Sequence, residues 1–84
     1  MGSKTFDGVW FISYVHDHLP PHVHGRYAGV EVIIDLLADG TVRQSDRWDA
    51  VTPSNGKRSD VRRILETAKA HGDELMELWR SARG

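Results

Sequence analysis

Cysteine does not occur in this chain, which excludes disulfides and thiolate metal sites. The composition suits a reducing compartment, and a cytoplasmic location is expected. Long apolar runs are also missing, since nothing approaches the roughly 18 residues that a membrane span needs. No basic stretch leads into an apolar one at the N-terminus, so no signal peptide is expected, and Met1-Gly2-Ser3 is given no structural role. Charge of one dominant sign is absent too. The chain has 11 Lys and Arg against 12 Asp and Glu, too balanced for a polycation or an acidic mimic of DNA. No internal repeat, low-complexity tract, Gly-rich phosphate loop, Walker-type motif or Ser/His/Asp order is found. At 84 residues the chain has room for one domain, 1–84, built on a single apolar layer.

What the chain does have is histidine, packed densely. Four of its five histidines fall between His16 and His24, around the adjacent Pro20 and Pro21. Upstream, Gly8–Val15 is a β-branched and aromatic run that reads as a central strand, with Trp10 expected in the core. Downstream, His22–Tyr27 and Val30–Leu36 read as a hairpin turning at Ala28-Gly29, although Ala28 is a poor first residue for a type I′ turn. A two-residue turn places His22 opposite Asp35, His24 opposite Ile33 and Arg26 opposite Glu31. Alternation then puts Val23, Gly25, Tyr27, Val30, Val32, Ile34 and Leu36 on a core face. His22, His24, Arg26, Glu31, Ile33 and Asp35 fall on the other face.

Asp39-Gly40 marks a further turn into a short fourth strand near Val42, which closes a sheet region of about 8–43. Residues 44–58 show no period and read as a loop in which Trp48 is a lid, a stacking platform or an anchor. Ser59 or Asp60 is the expected cap of a helix over about 59–82. Its apolar stripe runs through Val61, Ile64, Leu65, Ala68, Leu75, Leu78, Trp79 and Ala82, keeping phase across Gly72, where a kink is expected. His71 is expected to be packed or to mark a break. At 1.5 Å per residue the helix would span about 36 Å, enough to overhang the sheet and offer Leu78 and Trp79 as a partner interface. The expected fold is α+β: a three- to four-stranded antiparallel sheet with one long C-terminal helix packed on one face.

Several chemistries need histidines at this spacing. His22 and His24, two apart on a strand, point to one face. With His18 and Asp35, or with Asp17, they could hold zinc or manganese and so support hydrolysis. Without a metal, a His–Asp pair among His18, His22, His24 and Asp35 could serve as a catalytic general base, for example on RNA. Imidazoles beside a Pro-Pro corner can equally satisfy loop amides and carbonyls. The charge layout adds a second candidate. Residues 41–69 carry a net +3, and Lys57, Arg58, Arg62 and Arg63 stand at the start of the expected helix, where amides attract phosphate or nucleic acid.

Taken together, these features resemble the bacterial family called domain of unknown function 4160. The resemblance rests on the early Gly8, Ile12, Tyr14 strand and the specific "DHLPPHVH" motif from Asp17 to His24. It continues through the Tyr27 and Gly29 turn, the Ile34-Asp35-Leu36 strand and the closing His71, Glu74, Leu75, Trp79 helix. It covers nearly the whole chain. The middle segment from Arg43 to Asp60 is longer than in relatives, so the resemblance implies nothing about that loop. What it does imply is a small protein acting with a partner, the product of a neighbouring gene, in a toxin–antitoxin-like pair. A partner-binding module with a histidine-rich surface is therefore the leading expectation. The alternative is a small hydrolase or ribonuclease, metal-dependent or histidine-based, and whether the chain is an enzyme stays open between the two.

Overall fold

The computed structural model describes residues 2–16 and 18–83. Its strands are β1 (Gly2–Phe6), β2 (Val9–Ser13), β3 (His22–Tyr27), β4 (Val30–Leu36), β5 (Val42–Gln44) and β6 (Val51–Thr52), followed by helices α1 (Arg58–Ala70) and α2 (Gly72–Ala82). The architecture is α+β, as expected, with more strands and one more helix. All six strands join one sheet in the order β1-β2-β3-β4-β5, with β6 also pairing β4 and every pairing antiparallel.

The β3–β4 hairpin has the register expected from a two-residue turn, with His22 opposite Asp35 and Tyr27 opposite Val30. Ala28 adopts φ 53° and Gly29 φ 81°, so the type I′ turn forms despite the alanine. A left-handed alanine costs roughly 1–2 kcal/mol. Ala28→Asn should therefore stabilise the fold by about 0.5–1 kcal/mol, read as a melting temperature a few degrees higher. A lower melting temperature would contradict the turn assignment.

The strand expected over Gly8–Val15 is β2, and it begins after a second hairpin that the sequence reading missed. Asp7 and Gly8 both have positive φ, at 51° and 82°, and form the turn between β1 and β2. The expected core position of Trp10 is corrected by the same pairing. Trp10 lies opposite Arg26 on the face away from the helices and is 41% exposed, while Val9 and Phe11 take the core side. An apolar run does not say which of its alternating faces is covered.

The core fills the other side. Val9, Phe11, Val23, Val32 and Ile34 meet Ile64, Ala68, Leu75, Leu78 and Trp79 from the helices. Each fully buried side chain of this size contributes about 1.5–3 kcal/mol. α1 approaches β3 so closely at Gly25 that a Cβ there would lie 2.6 Å from Ile64 Cγ2.

The single helix over 59–82 is corrected to two. His71, at φ −126° and ψ 31°, separates α1 from α2. Its ring stacks on Phe6 with centroids 3.9 Å apart, and its Nδ1 donates to Glu74 Oε1 at 2.9 Å. Neither Ser59 nor Asp60 is the cap: α1 follows Lys57 with no side-chain cap bond. Because the helix breaks, Leu78 and Trp79 do not overhang the sheet. Both are buried in the core, which leaves no exposed interface at those positions.

The 44–58 loop is partly structured as well. Ser45 N–H donates to Ile33 O at 2.9 Å, and Ile33 N–H donates to Ala50 O at 2.8 Å. The chain thus leaves the β4 edge after β5, makes an excursion through Asp46–Asp49, and returns to the same edge as β6. No helix among the described residues is long and apolar enough to cross a membrane.

Candidate functional site

The outer face of β3 and β4 is walled on one side by the chain leading into β3 and on the other by the excursion off β4. Between them lies a cleft of about 280 Å³. His16, His18 and Leu19 line one side; His22, Ile33 and Asp35 form the floor; Ser45, Asp46 and Arg47 line the other side. The structure therefore brings together His18, His22 and Asp35 of the expected set and adds His16.

His22 is nearly buried, and its Nδ1 donates to the Pro20 carbonyl at 2.9 Å. A carbonyl only accepts, so the neutral ring carries its proton on Nδ1 and its lone pair on Nε2. The Pro20-Pro21 corner thus fixes the ring, which also packs against Trp79 at 5.5 Å between centroids. Asp35 is 13% exposed and faces Arg43, whose Nε lies 3.6 Å from Oδ2. Arg47 on the excursion donates two hydrogen bonds of 2.8 Å to Asp49. These bonds hold the Asp49 carboxyl below its usual range. A lowered carboxyl pKa stabilises the fold above the ordinary value and loses that effect only as pH falls through the folded one.

His24 stands apart from the cleft. Its Nδ1 donates to Glu31 Oε2 at 3.2 Å, and its ring meets Tyr14 edge-on at 5.0 Å and His22 at 5.4 Å. Glu31 also accepts from Arg26 Nε at 2.6 Å, a bond that raises the Arg26 pKa further. Asp17 lies outside the described residues. Among the described residues, no group of three His, Asp or Glu side chains converges in a way that could hold a metal ion. The donor set formed by His18, His22, His24 and Asp35 therefore does not fit zinc or manganese.

The four basic residues of the expected phosphate site all stand at the cap or in the first turns of α1. Arg63 donates to the Asp7 carbonyl at 2.9 Å and lies over the Tyr27 ring, while Lys57, Arg58 and Arg62 are exposed. A larger groove of about 540 Å³ lies at the hairpin end, between Trp10, Tyr27 and Pro53, but its charged pair, Arg26 and Glu31, is self-satisfied.

Sequence reasoning missed Ser45, Asp46 and Arg47. A signal for them was present in Ile33, an apolar residue among the polar positions of the outer face. It is buried because the excursion covers it.

The family model for Domain of unknown function (DUF4160) matches residues 8–80, nearly the whole chain. The chain belongs to this family. The matched region includes both walls of the cleft, α1 and most of α2, so the excursion from Ser45 to Ala50 falls within it. No curated protein and no solved structure matches the chain.

Proposed function

We propose that this DUF4160 chain is a partner-binding module of the cytoplasm, one member of a toxin–antitoxin-like pair, and that the histidine cleft and its walls receive the partner. The partner is the small product of a neighbouring gene. One observation carries this reading. Of the four large apolar side chains exposed among the described residues, Val15, Leu19 and Trp48 stand on the two segments that wall the cleft. Trp48 is 95% exposed and Leu19 78%. Leu19 lines the cleft, while Val15 and Trp48 are next in sequence to its lining residues His16 and Arg47. Exposed apolar side chains collected in one region mark protein interaction sites, and tryptophan is among the side chains most enriched in residues that dominate binding energy. The Arg47–Asp49 clamp on either side of Trp48 holds the indole on a stiffened loop, which lowers the ordering cost of binding.

The test is calorimetric titration with the purified neighbouring-gene product. Trp48→Ala should weaken binding by about 2 kcal/mol, roughly 30-fold, while stability stays within about 0.5 kcal/mol of the parent. Unchanged affinity in both Trp48→Ala and Leu19→Ala would remove the cleft walls as the interface.

A second reading, a histidine-based hydrolase or ribonuclease, is supported by the His22 tautomer, which places a basic nitrogen on a ring in the cleft floor. It requires that purified protein cleave single-stranded RNA without metal and that His22→Gln abolish the cleavage.

A further inference from the structure

We draw no further inference here: the strongest candidate, the groove of about 540 Å³ at the hairpin end between Trp10, Tyr27 and Pro53, is a largely apolar recess whose charged pair, Arg26 and Glu31, is already joined, and nothing in the structure shows what covers it.

Discussion

Trp79→Ala is expected to cost about 3–5 kcal/mol, a large part of the roughly 5–10 kcal/mol that holds a domain of this size together. The indole is only 5% exposed and joins three parts of the structure. It packs in the core with Leu75 and Leu78, its ring lies 5.5 Å from that of His22, and the Arg83 guanidinium sits over its outer side at 3.2 Å from the ring centroid. Removing it leaves a cavity that neither the sheet nor the helix can close without shifting. The melting temperature should fall by roughly 15–25 °C or more. Trp48→Ala, in contrast, should melt within a few degrees of the parent, because its side chain is almost wholly in solvent. Two tryptophans of one small chain would thus separate folding from binding. If Trp79→Ala melted like the parent protein, α2 would not be packed as described, and Trp79 would again be a candidate contact surface.

The same contrast shows what a sequence can convey. The β3–β4 hairpin was readable residue by residue, because alternation and a two-residue turn determine both register and face. His22 does lie opposite Asp35, and Val23, Val32 and Ile34 do line the core. The stripe on the helices was also readable, since Ile64, Ala68, Leu75, Leu78 and Trp79 are all buried. The first hairpin was missed although Asp7-Gly8 is a strong type I′ signal, because Met1-Gly2-Ser3 was given no structural role.

The cleft was half legible. Its histidine wall was visible as a motif. The opposite wall depends on where the chain leaves and rejoins the β4 edge, which the local pattern around Ser45 to Ala50 does not encode. Trp10 was wrongly placed in the core and Trp48 left open between three roles for one reason: exposure is a property of what covers a residue, and the covering elements lie far away in sequence.

The helix break has the same origin, and it yields the other large effect. Gly72→Ala should destabilise the protein by about 2 kcal/mol even though alanine is the better helix former. Within a helix, replacing glycine by alanine gains about 1 kcal/mol. Here Gly72 opens α2 against the turn between β4 and β5, and a Cβ at this position would lie 2.2 Å from the Gly40 carbonyl oxygen. That oxygen has little freedom to move. Gly40 N–H donates to Leu37 O at 3.0 Å, Leu37 N–H donates to Thr41 O at 2.9 Å, and Asp39 accepts from both the amide and the hydroxyl of Thr41. Overpacking against fixed backbone costs about 3 kcal/mol or more, which outweighs the propensity gain. A net loss near 2 kcal/mol lowers the melting temperature by roughly 8–16 °C. Gly29→Ala is the useful comparison. A Cβ there meets nothing within 4 Å, so only the left-handed backbone at φ 81° opposes it, at about 1–2 kcal/mol. If Gly72→Ala instead raised the melting temperature, α1 and α2 would be free to join into the continuous helix that the apolar stripe predicts, and the contact with Gly40 would not be what divides them.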